Sequence, residues 1–153
     1  MPEFVWWVFF LGCGIWWQQM SGGLDFLTPG ILVCIQYRKW WLTGILSIVF
    51  IFVQEGVGTL AFGASLLFYA GAYLLFYASH WLLEPENPLF MLSFSACLSC
   101  WLYGVVTGVC SFQELSVLLP SVFPAVFTQW LAYMLMWSFS LFVFRRWVHN
   151  GRV

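Results

Sequence analysis

Long apolar runs separated by short polar breaks make up most of the 153-residue chain. Charged residues, Gly and Pro divide it into pieces near the roughly 20 apolar residues that cross a hydrocarbon core of about 30 Å. The second and third pieces are the least regular, because one contains Asp25 and Pro29 and the other ends at Gln54 and Glu55. The pattern predicts one membrane domain, residues 1–153, with six spans at approximately 4–20, 24–37, 41–55, 60–82, 89–110 and 122–144.

The composition supports lipid as the solvent of this protein. Apolar residues make up 63% of the chain and charged residues only 7%, whereas a soluble domain carries about 25% charged residues. The sequence therefore predicts an all-α integral membrane protein that folds as a six-transmembrane-helix bundle in the lipid bilayer. The net charge is −1 and no basic cluster exceeds two residues, so the sequence lacks the patterns of nucleic-acid binding.

The five basic residues predict the orientation of the bundle. Arg38 and Lys39 lie between the second and third spans, whereas Arg145, Arg146 and Arg152 follow the sixth. Four crossings separate these two groups, so all five residues are on one side of the bilayer. Because Lys and Arg are retained on the cytoplasmic side, we expect them to be cytoplasmic anchors and both termini to be cytoplasmic.

Small residues recur at regular spacing in the fourth and fifth spans. Lipid gives helices no hydrophobic reason to associate, so close backbone approach along small residues supplies van der Waals contact instead. We interpret both series as helix-packing seams. They consist of Ala64, Gly71 and Ala78 in the fourth span, and of Ala96, Cys100, Gly104 and Gly108 in the fifth.

Three tyrosines lie roughly opposite the small residues of the fourth span. Tyr69, Tyr73 and Tyr77 are spaced four residues apart, which places them along one side of a helix. Such a stripe is typical of an aromatic packing face whose hydroxyl groups bond nearby carbonyl groups, and it is also compatible with a ligand-binding face. The tyrosines are therefore candidates for lining a pocket or contacting a partner.

The acidic residues of the second and third spans are the other candidates for a pocket or partner contact. Asp25 and the pair Gln54-Glu55 lie near the predicted outer ends of their spans. Ionisable groups at membrane depth are costly and usually face a bundle interior, a cavity or a partner, although they can also extend to the headgroup region and merely end a helix. We expect Glu55 to face the interior or a partner, with hydrogen bonds from Gln54 or a neighbouring span.

Cys97-Leu98-Ser99-Cys100 has the CxxC spacing of a thiol–disulfide couple. Both cysteines lie well inside the fifth span, where desolvation disfavours a thiolate, and no Lys, Arg or His is near them in sequence. We therefore interpret them as small packing residues. Since the sequence also lacks a metal-ligand set, a nucleophile motif and a phosphate-binding loop, we expect no catalytic residues, no metal, no cofactor and no enzyme activity.

Spans two to four combine an apolar span that ends in a basic pair, a span that ends in Gln and an acidic residue, and a small-residue span rich in tyrosine. The residues are Leu24 to Gly30, Tyr37-Arg38-Lys39, Thr43 to Leu46, Gln54-Glu55-Gly56, and Gly63-Ala64-Ser65 to Tyr73. Over residues 24–80, somewhat more than a third of the chain, this order resembles the rod shape-determining protein MreD family.

The resemblance implies a non-catalytic scaffold of the bacterial cell-wall elongation machinery, located in the cytoplasmic (inner) membrane and required for rod shape. The implied partners are a bitopic MreC-like shape protein and, through it, the machinery of peptidoglycan synthesis and actin-like filaments. It also implies a cavity open toward the outer face. Two alternatives remain open: a small-molecule-binding membrane subunit of an energy-coupling transporter, and a membrane thiol-quinone oxidoreductase that uses Cys97 and Cys100.

Overall fold

The computed structural model describes residues 3–56, 63–81, 87–112 and 122–149. Over these ranges the protein is helical and contains no strand, which confirms the predicted all-α class. Six α-helices are present, and the last continues into a π-helical turn at Phe144–His149. They are α1 Glu3–Met20, α2 Thr28–Gln36, α3 Trp40–Gly56, α4 Ala64–Ser79, α5 Pro88–Phe112 and α6 Val122–Val143.

The helices differ in their ability to cross a membrane. The stretches Pro88–Phe112 and Val122–Arg146 contain 25 residues each and are long and apolar enough to span a bilayer. α3 and α4 are apolar but shorter, with 17 and 16 residues. α2 has only 9 residues, or about 14 Å of helix, because the first part of the predicted second span is not helical.

α2 lies at the centre of the bundle. Every residue in Thr28–Ile35 is buried, as expected for a helix that is apolar on all sides. α3 and α6 both pack against α2. α3 also packs on α4, α4 on α5 and α5 on α6, so that α2 to α6 form a closed ring. α1 covers α2 from outside: a Cβ added at Gly30 would lie 2.6 Å from the ring of Phe10.

The surface of the bundle is apolar and its interior contains polar side chains. Large hydrophobic side chains are exposed on α1, α3, α4, α5 and α6, and Trp41, for example, is 88% exposed. Buried polar residues include Asp25, Gln54 and Gln129. Extended exposed apolar surface marks contact with a membrane or another protein, so this arrangement is consistent with lipid around the helices.

Aromatic contacts bring three parts of the chain to one end of the bundle. The ring centroid of Phe144, at the end of α6, lies 5.9 Å from that of Trp7 and 4.8 Å from that of Tyr37. Lys39 Nζ lies 5.1 Å from the same centroid. The start of α1, the basic turn after α2 and the end of α6 therefore share one end, as the predicted orientation requires.

Three other residues predicted to be cytoplasmic anchors lie at this end as well. Arg145 and Arg146 are exposed in the π-helical turn, and Arg38 lies in the turn after α2 with a φ of 53°. Arg152 lies outside the described residues. That this end faces the cytoplasm stays a prediction.

Gly71 of α4 allows close contact with the Trp101 ring of α5. A Cβ at Gly71 would lie 2.3 Å from that ring, which is held in place because its Nε1 donates a hydrogen bond to the Phe68 carbonyl oxygen at 3.2 Å. We expect Gly71→Ala to lower the free energy of unfolding by about 1–3 kcal/mol. Thermal unfolding of the purified protein in detergent measures this change.

Gly44 of α3 provides the matched control for this prediction. It is exposed, and an added Cβ would meet nothing within 4 Å. Gly44→Ala should therefore leave stability unchanged or raise it by up to about 1 kcal/mol, because Ala has the higher helix propensity. Equal stability of the two variants would contradict the close packing of α4 on α5.

Candidate functional site

The chain between α1 and α2 enters the bundle interior without helical structure. Gly22 and Gly23 have φ values of 69° and 99°, which glycine adopts without steric cost. The chain then turns inward, so that Asp25, Phe26 and Leu27 are buried. Non-helical backbone at membrane depth is tolerated only where protein covers it, and its polar groups need partners on neighbouring helices.

Gln129 of α6 supplies hydrogen bonds to this segment. Its Oε1 accepts a hydrogen bond from the backbone N–H of Asp25 at 3.1 Å, and its Nε2 donates to the Asp25 carbonyl oxygen at 2.9 Å. The side-chain amide of Gln129 therefore pairs with both backbone polar groups of Asp25, in the way that a peptide group of an adjacent chain would. This pairing fixes the non-helical segment to α6.

The Asp25 carboxylate accepts five hydrogen bonds. Oδ1 accepts from the backbone N–H groups of Leu27 and Thr28 at 2.9 and 3.2 Å, and from Gln54 Nε2 at 3.1 Å. Oδ2 accepts from the Tyr133 hydroxyl at 2.9 Å and from the Thr28 hydroxyl. The two backbone bonds satisfy amide groups at the start of α2, where the helix dipole also favours negative charge.

The partners of Asp25 are neutral and come from several helices. Thr28 belongs to α2, Gln54 to α3 and Tyr133 to α6, and the Tyr69 hydroxyl of α4 lies beside Thr28 and Gln54. Asp25 itself is only 3% exposed. Hydrogen-bond donors and the α2 dipole therefore stabilise the carboxylate. We call Asp25, Thr28, Gln54, Tyr69, Gln129 and Tyr133 the Asp25 cluster.

The structure brings together only part of the predicted polar set. Asp25, Gln54 and Tyr69 meet in the cluster, whereas the hydroxyl of Tyr73 forms a hydrogen bond with the Ser47 hydroxyl of α3. Tyr77 is 83% exposed. The tyrosine stripe of α4 therefore runs from the bundle interior to its surface and does not line a single pocket.

Glu55 lies outside the Asp25 cluster. Its side chain is half-buried, and Oε1 accepts a hydrogen bond from the backbone N–H of Gly63 at 3.1 Å. Gly63 immediately precedes α4 and has a φ of 81°. The carboxylate thus connects the end of α3 to the start of α4, whereas the neighbouring Gln54, only 1% exposed, points into the interior.

Sequence reasoning missed Thr28 and Tyr133. Thr28 follows an acidic residue by three positions and precedes Pro29, which is typical of a helix start. Tyr133 follows Gln129 by four positions and so lies on the same side of α6. These local signals identify a helix cap and a polar face, but they do not show that the two groups meet.

The small residues of α4 are used differently along the helix. Ala64 is buried, Gly71 contacts Trp101 of α5, and Ala78 is exposed. The α4 series therefore contributes to packing inside the bundle over its first part only.

The small residues of α5 form a ridge that the described part of the chain does not cover. A Cβ at Gly104 or Gly108 would meet nothing within 4 Å. Cys100 is exposed and Ala96 is partly exposed. A shallow groove of about 150 Å³ runs beside the ridge, with Leu67 of α4 on its far side. We call these four residues of α5 the α5 ridge.

The cysteine pair contributes nothing to the buried cluster. Cys97 and Cys100 are both free thiols on the exposed surface of α5. In the described parts of the chain, no group of three or more His, Cys, Asp or Glu residues is placed to hold a metal ion.

Replacing Gln129 by alanine should destabilise the protein by about 2–4 kcal/mol. The substitution leaves the buried N–H and C=O groups of Asp25 without these partners, and each unsatisfied buried group costs about 1–3 kcal/mol. Chemical unfolding in detergent, followed by circular dichroism, measures the change. Gln19→Ala is the control, because Gln19 is exposed on α1. Similar stability of both variants would show that Gln129 does not hold the non-helical segment.

Comparison with known proteins finds no relative of this chain: no protein-family model matches it, and neither does any curated protein or solved structure.

Proposed function

We propose that this chain is a multi-pass protein of the bacterial cytoplasmic membrane that acts as a non-catalytic scaffold in cell-wall elongation, in the role that its resemblance to MreD implies. The observation that carries the proposal is the uncovered α5 ridge. Small residues allow two helix backbones to approach closely in lipid. A ridge that the bundle leaves open is suited to a helix of another protein.

The chemistry of that partner follows from the shape of the ridge. Gly104 and Gly108 present backbone to the membrane on one side of α5, and the shallow groove beside them is walled by Trp101 and Leu67. Such a surface fits one apolar helix packed along α5. A bitopic MreC-like shape protein offers a single membrane helix of this kind, through which wall-synthesis enzymes can be assembled.

The Asp25 cluster supports a scaffold because its donors are used to join helices. The carboxylate connects α2, α3 and α6 through hydrogen bonds, and Gln129 holds the segment before α2. Buried hydrogen bonds between helices favour one packing arrangement over others. The cluster thus gives the bundle a defined shape, and a defined outer surface for partners.

The proposed location follows from the surface and from the basic end. α5 and α6 are long enough to span a bilayer, and exposed apolar side chains cover α1, α3 and α4 as well. Lys39 and Arg146 lie at the end that contains the start of α1 and the end of α6. We place this end in the cytoplasm because Lys and Arg are retained there.

A second candidate function is a small-molecule-binding subunit of an energy-coupling transporter. A pocket of about 560 Å³ lies between the α1–α2 connection, α5 and the start of α6, within the size range of small-molecule sites, about 300–1,000 Å³. This pocket is at the opposite end from the basic residues. No comparable observation favours the thiol-quinone oxidoreductase.

Depletion of the protein in its host should convert rod-shaped cells to rounded cells, because a scaffold that links wall synthesis to shape would be lost. Microscopy measures the cell outline, and affinity purification from membranes should recover a single-span partner with a periplasmic domain. Unchanged rods together with reduced uptake of one small molecule would favour the transporter subunit instead.

A further inference from the structure

Two cavities adjoin at the connection between α1 and α2. One is a groove of about 760 Å³ between α1 and α6, and the other is the pocket of about 560 Å³ beside α5. Ser21, Leu24 and Thr128 line both cavities. A single ligand can therefore occupy the groove and the pocket together.

The groove has the length of one membrane leaflet. It extends along α1 from Trp6 to Ser21, about 22 Å, and along α6 from Thr128 to Phe139, about 16 Å, at the rise of an α-helix. Half of the roughly 30 Å hydrocarbon core is about 15 Å. Its lining is mainly aromatic and aliphatic, so the groove suits a hydrocarbon chain that lies along the membrane normal.

The groove has room for an extended hydrocarbon chain. A volume of about 760 Å³ over a length of about 20 Å corresponds to a cross-section of about 40 Å². An extended lipid tail therefore fits this space.

The adjoining pocket has a mainly apolar lining with several uncharged polar groups. Exposed backbone of Gly22 and Gly23 forms one side, and the exposed Thr128 contributes a hydroxyl group. None of the described residues that line either cavity is charged. Among these residues a charged headgroup would find no ion pair, so the pocket favours an uncharged one.

The exposed Thr128 hydroxyl of the pocket can accept a hydrogen bond from a ligand. Thr128 Oγ1 donates its own proton to the Pro124 carbonyl oxygen at 2.8 Å. Its lone pairs remain available, because a hydroxyl group carries one donor and two acceptor sites. A ligand hydroxyl can therefore donate to Thr128.

We propose that the two cavities form one site for a neutral lipid with a hydroxyl-bearing headgroup. The tail lies in the groove between α1 and α6, and a headgroup hydroxyl donates to Thr128. Gln129 lines the pocket and also pairs with Asp25, so the headgroup rests against the Asp25 cluster. This site is independent of the scaffold role, since it lies on other faces than the α5 ridge.

Photo-crosslinking on the purified full-length chain tests the site. The probe is a diacylglycerol with a diazirine on its acyl chain, and the comparison probe is phosphatidylglycerol with the same diazirine. We expect the first probe to label peptides of α1 and α6 and unlabelled diacylglycerol to compete with it. Equal labelling by the anionic probe, or labelling spread evenly over α3 and α5, would overturn the proposal.

Paired variants separate the tail site from general lipid contact. Cys13→Phe places an aromatic ring in the groove, whereas Cys97→Phe places the same ring on the exposed face of α5. We expect Cys13→Phe to reduce labelling by about tenfold, as overpacking of a site implies, and Cys97→Phe to leave it unchanged. Equal labelling of both variants would exclude the groove as the tail site.

A second pair of variants tests the contact of the headgroup with the pocket. Its result does not depend on whether Cys13→Phe folds. Thr128→Val removes a pocket hydroxyl, and Thr107→Val removes one that is bonded to its own helix in the same way but lines neither cavity. Only Thr128→Val should weaken binding of diacylglycerol, and it should not affect a diacylglycerol whose hydroxyl is methylated. Unchanged binding of both lipids would contradict the assigned headgroup contact.

Discussion

Asp25→Ala should lower the free energy of unfolding by at least about 3 kcal/mol. The substitution removes the acceptor of three buried N–H donors, from the backbone of Leu27 and Thr28 and from the side chain of Gln54. Each buried donor without a partner costs about 1–3 kcal/mol. The hydroxyl groups of Thr28 and Tyr133 can rotate toward other acceptors, so the loss of their bonds to Asp25 does not add to this cost. Chemical unfolding in detergent, followed by circular dichroism, measures the loss.

Two further variants show whether the loss comes from the hydrogen bonds. In Asp25→Asn the amide oxygen can still accept hydrogen bonds from the N–H donors. The amide N–H groups can donate to the Thr28 and Tyr133 hydroxyls, so we expect a smaller loss of unfolding free energy than for Asp25→Ala. Glu55→Ala removes a half-buried carboxylate that accepts a hydrogen bond from the Gly63 backbone, and it should cost about 1 kcal/mol or less. Equal losses for Asp25→Ala and Glu55→Ala would contradict the central role of the cluster.

Gly108→Leu should abolish recovery of the membrane partner and produce rounded cells while the protein remains folded. An added Cβ at Gly108 would meet nothing within 4 Å, and the rest of the leucine side chain would extend into the groove beside the α5 ridge. At the interface with another helix it would prevent close approach. Overpacking of about 1–3 kcal/mol corresponds to association weakened by about 5- to 150-fold. Affinity purification from membranes and cell outline measure the two effects.

The matched control is Gly44→Leu on α3, which also points into open space but lies away from the ridge. It should leave partner recovery and rod shape as in the wild type. Thermal unfolding of both variants in detergent shows that neither is misfolded. Normal partner recovery with Gly108→Leu would show that the α5 ridge is not the partner surface.

The number of helices follows from the sequence because apolar length and polar breaks are local properties. The residue at which α2 begins does not follow from the sequence. Residues 24–27 read as part of an apolar span, yet they are held unwound by Gln129, which lies 104 positions away from Asp25. A pattern within one segment contains no information about such a contact.

The Asp25 cluster was predictable only in part for the same reason. Asp25 and Gln54 stand out as polar residues in apolar spans, and both are in the cluster. α6, in contrast, is apolar on nearly all sides, so its sequence does not show that Tyr133 faces inward. For the α5 ridge, the spacing of small residues in the sequence predicts a packing face. Only the fold shows that this face is left open.

The short, central α2 also has a consequence for the order in which the protein is made. The ribosome adds about 5–20 residues per second, and Gln129 and Tyr133 follow Asp25 by 104 and 108 positions. For roughly 5–20 s after its synthesis, Asp25 lacks the hydrogen-bond partners that α6 provides. α2 is the second helix to leave the ribosome, but the hydrogen bonds that join the segment before it to α6 form only after the last helix has been made.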